Sequence, residues 1–424
     1  MKADNSPARG MRDLLPADVA TRDHVLEAIT STYRHFGYQR IETPALEEIN
    51  RLQGGQGGEN EKLIYQVLKR GLPHSTEPGT HIPDLIDLGL RFDLTVPLTR
   101  FYCNNHAQLP TPFRSLQVGP VWRAERPQKG RYRQFYQCDI DMIGEPTVLA
   151  EAELIEATTA ALAAVGLDGI TVRLSDRRFL TALAADAGLP QQLHDKFFII
   201  LDKLDKIGWS GVRSELENAG MPADAAAVAL DKIEKLTELD GEKIADTLVE
   251  TLPGLASEVI DDLTTTIASL DRLATERSLK WQFDPTLVRG MGYYTGQIFE
   301  ITHPEMSSSV AGGGRYDNLI GRYLGKDVPA CGFSIGFERI VGLLHDEVQR
   351  NATAALADSD VAIADVLAVA RNLRSQGQGR VVEVVRRSGK LGAQLKRLQA
   401  AGFATFVPIQ NDGGSVVVGD ERTI

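Results

Sequence analysis

Between residues 16 and 36, Val25, Ile29, Tyr33 and Phe36 recur at helical spacing and Gly37 follows as a stop, so the chain is expected to open on an amphipathic helix. The pattern then shortens into extended runs. Residues 38–42 predict a strand leading to Pro44, Gly54, Gly55, Gly57 and Gly58 mark a loop, and residues 90–97 read as an extended segment entering a helix. Two strand-like runs, 114–126 and 131–143, flank a turn of Pro127, Gln128, Lys129 and Gly130. Alternation puts Arg133, Phe135, Gln137, Asp139 and Asp141 on one face of the second run and Tyr136, Cys138, Ile140 and Met142 on the other, which makes one face polar and the other core. Arg123 and Glu125 likewise share a face of the first run.

An alanine-rich helix is expected over 151–165 and a strand over 170–174. From Ser175 to about Glu276 the texture turns helical and rich in Ala, Leu, Asp and Glu, as in an inserted helical domain. Strand signals resume at Trp281 and run through Phe299 and Ile301, and 336–345 reads as a helix with Phe337, Ile340, Val341 and Leu344 in line and Arg339 off that stripe. The resulting division is a catalytic core over 1–345, interrupted by the helical insertion at about 178–276, a linker over 346–357 and a small α/β domain over 358–424. In that last domain the expected elements are helix 361–376, strand 380–386, helix 390–401 and strand 405–408, with only a turn and the apolar run 416–418 beyond Pro408. The fold class is α+β: an antiparallel sheet flanked by helices.

Composition narrows the setting. Apolar residues make up 43% of 424 and no run of about 18 of them exists, so no membrane span is expected. The opening lacks the apolar centre of a signal peptide, which predicts a cytoplasmic protein. Cys103, Cys138 and Cys331 are odd in number and widely spaced, which indicates neither disulfides nor a zinc site. The net charge of −11 excludes a general nucleic-acid coat and gives no reason to expect DNA, but it is unevenly spread. Residues 221–271 hold twelve acids against three lysines, whereas 371–400 hold eight Arg or Lys and one Glu. Because salt confines each patch's field to about 8–10 Å, the local sign governs phosphate contact.

No GxxxxGK[ST] loop is present, and Gly290, Gly292 and Gly296 miss the dinucleotide pattern by one residue. What stands out is arginine set among carboxylates on strands: Arg123, Arg131, Arg289 and Arg339. Guanidinium groups grip phosphates in pairs of bonds and neutralise charge that grows during nucleotidyl transfer. RAERPQKGRYRQFYQCDID (123–141) resembles motif 2 of class II aminoacyl-tRNA synthetases in its histidyl form. LVRGMGYYTG (287–296) and AGGGRYD (311–317) are similar to that family's two histidine signatures, and LRFDLTVPLTR (90–100) to its histidine-binding segment. GFSIGFERI (332–340) resembles motif 3, and the helix and strand before Pro44 resemble motif 1. Six ordered matches identify the histidyl-tRNA synthetase family.

The resemblance implies ATP as substrate with Mg2+ on its phosphates, histidine and tRNA(His) as the other substrates, and a homodimer joined through the opening helix and strand. No metal ligand from the protein itself is predicted. Carried over by position, Arg123 and Arg289 are the catalytic arginines, Arg289 acting on the α-phosphorus. Glu125 meets the adenine amino group, Phe135 stacks on the ring, Arg339 covers its other face, and Arg131 reaches the outer phosphates. Asp93, Thr95 and Gln137 hold the α-ammonium of histidine, Asp141 and Tyr294 read the imidazole, and Tyr293 and Tyr316 line the pocket. Three departures from the family stand out. Gly292 replaces a usual acid, Asp93 and Asp141 replace longer glutamates, and the tail is abbreviated. The alternative reading is a non-catalytic relative that serves as the regulatory subunit of ATP phosphoribosyltransferase.

Overall fold

The structure, a computed structural model, describes residues 5–54, 60–72, 80–127, 130–237, 244–277, 279–288, 293–344, 352–377 and 379–424. In chain order the first elements are α1 (Pro16–His35), β1 (Gln39–Arg40), β2 (Leu46–Glu48), α2 (Ile49–Gln53), β3 (Gln66–Leu68), β4 (Ile86–Leu90), α3 (Thr95–Asn105), β5 (Phe113–Trp122) and β6 (Gln134–Ile143). After α4 (Leu149–Ala164) and β7 (Thr171–Asp176) come α5 (Arg177–Asp186), α6 (His194–Leu201), α7 (Leu204–Asn218), α8 (Ala223–Thr237), α9 (Ile244–Thr251) and α10 (Ser257–Arg277). Then follow β8 (Lys280–Phe283), β9 (Gln297–Thr302), β10 (Ala311–Arg315), α11 (Asp317–Leu324), β11 (Ala330–Ile335) and α12 (Phe337–Leu343). The last group is β12 (Ala352–Ala357), α13 (Ile363–Ser375), β13 (Val381–Arg386), α14 (Leu391–Ala400), β14 (Phe403–Asp412), β15 (Ser415–Val418) and β16 (Arg422–Thr423). Two compact units result: Met1–Leu14 with Arg22–His345, and Leu15–Thr21 with Asp346–Ile424.

The first unit is built on an eight-stranded sheet of order β1-β5-β6-β11-β10-β9-β7-β8, antiparallel except for the β1–β5 and β7–β8 pairs. One face is apolar. Val25, Ile29 and Tyr33 of α1 are almost fully buried against a cluster that includes Cys138, Ile140 and Met142 of β6 and Leu154 and Ala161 of α4. The expected alternation along β6 therefore holds: its odd-numbered residues Gln137, Asp139 and Asp141 face the other way, although they too are buried. The same apolar cluster continues into α5–α10, so the inserted helices share their core with the sheet instead of closing on themselves.

Both paired strands are shorter than expected. β5 ends at Trp122 and β6 begins at Gln134. The ladder closes with Arg123 N–H donating to Arg133 O at 2.9 Å, and Arg133 N–H then donates to Gly10 O at 2.8 Å. Arg131, Arg133 and Glu125 thus sit on the connecting loop because the N-terminal segment takes the strand's next bond.

In the second unit the expected linker over 346–357 is corrected: Ala352–Ala357 is a fully buried strand. It is central, parallel to β13 and β14 on either side. Ala355 and Ala357 pack with Val366 and Ala370 of α13, while Ala354 and Leu356 pack with Leu398 of α14, so the two helices cover opposite faces. Alanine has weak strand propensity, but a strand covered on both faces selects for small apolar side chains. The tail beyond Pro408 is also fuller than expected. β14 runs on to Asp412 and turns through Gly413 and Gly414, both at positive φ, into β15. Paired positive φ values suit a tight hairpin and favour glycine.

Candidate active site

Pairing across the large sheet sets the polar face in rows. Gln117, Asp139, Ser334, Gly312, Glu300 and Arg173 are successive cross-strand partners, and Ser115, Asp141, Gly332, Gly314 and Ile298 form the adjacent row. Above these rows lie two adjoining chambers. The inner one, of about 100 Å³, is lined by Asp93, Thr95, Gln137, Asp139, Asp141, Tyr293, Tyr294 and Tyr316, so all seven residues assigned to histidine from the sequence meet in one place. The outer, of about 360 Å³, is lined by Arg123, Glu125, Arg131, Phe135 and Arg339, the five assigned to ATP. Arg123, Gln137, Tyr293, Tyr294, Gly312 and Ser334 border both. Arg289 and Gly292 lie outside the described residues.

Two glycines are required by close approach, and one of them, Gly332, lines the inner chamber. A Cβ on Gly332 would lie 2.1 Å from Asp141 Oδ1, and one on Gly313 would lie 2.1 Å from Gly332 O. The glycine run of β10 therefore has a packing reason within the sheet. Space vacated by Gly332 is taken by the Asp141 carboxylate, whose Oδ1 accepts from Tyr316 Oη at 2.6 Å. Asp141 Oδ2 and Gln137 Oε1 are buried and have no hydrogen-bond partner among the described residues. Buried polar atoms are seldom left unpaired, so these two acceptors mark where a ligand's donors belong. Burial pushes the Asp141 carboxyl up to about 7, opposed by the Tyr316 hydrogen bond and assisted by the Asp93 charge. Burial and then Asp141 push Asp139 well above the usual carboxylate range. Burial likewise raises Tyr293, Tyr294 and Tyr316, which keeps all three phenols neutral and able to donate.

At the junction, Arg123 Nε donates to Phe92 O at 2.9 Å and its guanidinium stands 5.1 Å from the centre of the Phe135 ring. Glu125 is ion-paired with Arg131, which is itself exposed. Its backbone carbonyl accepts from Arg133 Nε at 3.0 Å. Arg339 donates to Ser309 O at the far wall.

Sequence reasoning missed a second set of residues. Glu338 lines the outer chamber and receives both Arg22 nitrogens, at 2.6 and 2.9 Å, and Arg12 as well. It also accepts from Tyr136 N–H at 3.3 Å. Arg12 in turn lies 4.0 Å from the Tyr132 ring centre and donates to its hydroxyl at 3.1 Å. Gly10, Arg12 and Arg22 thus fasten the β5–β6 loop and the first turn of α12, two segments that carry the outer chamber's arginines. Arg22 and Glu338 are both buried, and removing Glu338 would strand the Arg22 charge at a cost of about 3–5 kcal/mol, whereas Glu338 without Arg22 would keep Arg12 and the Tyr136 N–H. Arg12 before α1 and Arg22 within it were visible in the sequence, but their partner is more than three hundred residues away.

Comparison with known proteins places this arrangement. The sequence pattern described as histidyl-tRNA synthetase matches residues 10–340. A histidine–tRNA ligase of Leifsonia xyli subsp. xyli is 48% identical over 423 residues, with 97% of each chain covered. A probable histidine–tRNA ligase of Tropheryma whipplei is 43% identical over 411 residues, with 95% of each covered. Among solved structures, the histidyl-tRNA synthetase of Nostoc sp. aligns with a TM-score of 0.81 at 26% identity, covering all of this chain and 97% of that one. A Bacillus halodurans ATP phosphoribosyltransferase regulatory subunit/histidyl-tRNA synthetase aligns with a TM-score of 0.77 at 21% identity over 96% of this chain and 99% of that one, a likeness of fold alone.

Proposed function

The chain belongs to the histidyl-tRNA synthetase family, and we propose on that premise that it is a histidine–tRNA ligase that forms its adenylate in the paired chambers. A histidine carboxylate oxygen attacks the α-phosphorus of ATP, the bond to the bridging oxygen breaks and pyrophosphate leaves. A ribose hydroxyl of the terminal adenosine of tRNA(His) then attacks the activated carbonyl, releasing AMP and a proton. The observation that carries this reading is the inner chamber. Its unpaired Asp141 Oδ2 and Gln137 Oε1 match a ring N–H and an ammonium, and it opens beside the arginine-lined outer chamber through Arg123. A site built from acceptors rejects side chains that would leave those acceptors unpaired. Asp93 and Thr95 complete the ammonium end, Tyr294 the ring, and Tyr293 and Tyr316 the walls. Asp93 also accepts from Val96 N–H at 3.1 Å at the start of α3, which holds its carboxylate in place.

In the outer chamber Phe135 stacks the adenine, Glu125 takes its amino group once Arg131 swings to the phosphates, and Arg339 covers the opposite face. Mg2+ accompanies the phosphates of ATP. The proposal assigns no protein ligands to it. The protein is expected to work in the cytoplasm, and among the described residues no helix is long and apolar enough to cross a membrane.

Purified protein should exchange labelled pyrophosphate into ATP when given histidine, and not when given glutamine or asparagine. Equal exchange with all three would sink the specificity. No exchange at all would favour the regulatory-subunit reading, which the presence of Arg123 and Arg339 at one chamber disfavours.

Histidine affinity is expected to rise with pH until about 7 and then level off. Ionised Asp141 accepts the ring N–H, and its carboxyl is held up to about 7. Protonation below that range competes with binding, by up to about tenfold per pH unit. The ring of histidine titrates nearby, so the dependence shared by wild type and Asp141→Asn belongs to the ligand and the difference to Asp141. Parallel affinity–pH curves would remove Asp141 from the ring contact.

A homodimer is also proposed, on the family resemblance. Val25, Ile29 and Tyr33 are buried within this chain and do not themselves call for a partner. Light scattering is expected to give twice the 46.3 kDa chain mass; the single-chain mass at working concentrations would refute it.

A further inference from the structure

We infer that Asp139 and Ser334 act as a positioning pair that decides which end of the Gln137 amide faces the ligand, an inference that rests on reading the inner chamber as the histidine site. Asp139 of β6 and Ser334 of β11 are direct cross-strand partners. Gln137 lies two residues before Asp139 on the same strand and leans to the same side. The Ser334 hydroxyl donates to Asp139 Oδ1, and the same hydroxyl oxygen accepts from Gln137 Nε2 at 3.0 Å.

A hydroxyl owns one proton and two lone pairs. The Ser334 hydrogen bond opposes the burial that raises Asp139, and an ionised Asp139 can only accept; with its proton committed there, Ser334 has only lone pairs to offer, so Gln137 must meet it with its NH2 group. The amide carbonyl is thereby turned away from Ser334, and Gln137 Oε1 is the buried atom without a partner among the described residues. Fixed this way, the amide offers an acceptor to the ammonium of the ligand. Turned over, it would offer two N–H groups to a cation, and a hydrogen bond to a charged group would become a repulsion. A serine free of Asp139 can either accept from the amide NH2 or donate to the amide carbonyl, and the orientation is then no longer set. Asp139 therefore serves the chamber through Ser334.

Calorimetric titration of the whole protein with L-histidine and with imidazolepropionate, which keeps the ring and carboxylate but lacks the ammonium, tests the pair. Ser334→Ala is expected to weaken histidine about tenfold while leaving imidazolepropionate unchanged, because only the ammonium contact depends on the amide's orientation. Asp139→Asn should move the ratio in the same direction, and in exchange assays the histidine KM should rise with kcat and the ATP KM unchanged. Equal weakening of both ligands in Ser334→Ala would mean a merely structural role and overturn the inference. Loss in Asp139→Asn with Ser334→Ala unaffected would overturn it too, since Asp139 would then touch the ligand itself. Wild-type protein that binds neither ligand and shows no histidine-dependent exchange would instead overturn the functional reading, and the pair with it.

Discussion

Replacing Arg123 with alanine is expected to lower the turnover of histidine-dependent pyrophosphate exchange by about 10²- to 10³-fold, the range seen when a preorganised donor to a developing charge is removed. The size follows from where the residue stands. Arg123 borders both chambers, so on the proposed reading its guanidinium would stand between the histidine carboxylate and the α-phosphate. Its Nε is held by Phe92 O at 2.9 Å and its plane stands over Phe135, which leaves the terminal nitrogens for the reacting groups without any reorganisation. A cation fixed there gains most from the charge that builds as the carboxylate oxygen attacks, so kcat should fall further than histidine affinity. Arg123→Lys should recover little, because an ammonium has neither the Nε bond nor the flat fork. Arg289→Ala is expected to behave in the same way on the strength of the family resemblance. Steady-state exchange at several histidine concentrations checks both. Unchanged turnover with a raised histidine KM would make Arg123 a carboxylate anchor only.

The site was legible in the sequence to the extent that its residues lie close together along the chain. Gln137, Asp139 and Asp141 alternate on β6, and that period alone puts them on one polar face. Their chemistry came from the resemblance, and the structure brings residues of five of the six resembling segments, all but the opening helix and strand, to the same two chambers. Contacts between distant segments were not legible. Ser334 is 195 positions from Asp139, and Glu338 is 326 from Arg12; only the register of β6 against β11 and the docking of the N-terminal segment make them neighbours. Gly332 shows the same limit: its need for hydrogen in place of a side chain is set by Asp141 on the facing strand. Strand β12 failed for another reason. ATAALA shows no polar–apolar alternation and a single β-branched residue, Thr353, and its extended form is imposed by β13 and β14 on its two edges. Tertiary context outweighed local propensity there.

The correction at β12 also changes how the basic tail can be tested. Deletion from residue 358 would leave a buried alanine strand without its sheet, so loss of tRNA charging would not separate RNA contact from unfolding. The side chains allow a finer experiment. Of the eight basic residues between 371 and 400, four are engaged within the unit. Arg374 donates to Val382 O, Arg386 to the carbonyls of Asp358 and Val361, Arg387 to the Asp358 carboxylate, and Arg380 pairs with Glu421 at 2.7 Å. Arg371, Lys390, Lys396 and Arg397 are exposed and unengaged among the described residues. Lys390, Lys396 and Arg397 belong to α14 and its first cap, while Arg371 is on α13, against the opposite face of the sheet. If α14 is the face that meets tRNA phosphates, changing those three to alanine should reduce the slope of log affinity against log salt by up to about 3, each lost phosphate contact removing somewhat under one. Arg371→Ala should change neither affinity nor slope. Adenylate formation, which uses the first unit, should proceed at the wild-type rate in both variants, so aminoacylation at low tRNA concentration would be the step that suffers. A salt slope unchanged in the triple variant would remove α14 from the RNA interface, and a slope reduced by Arg371→Ala alone would move that interface to α13.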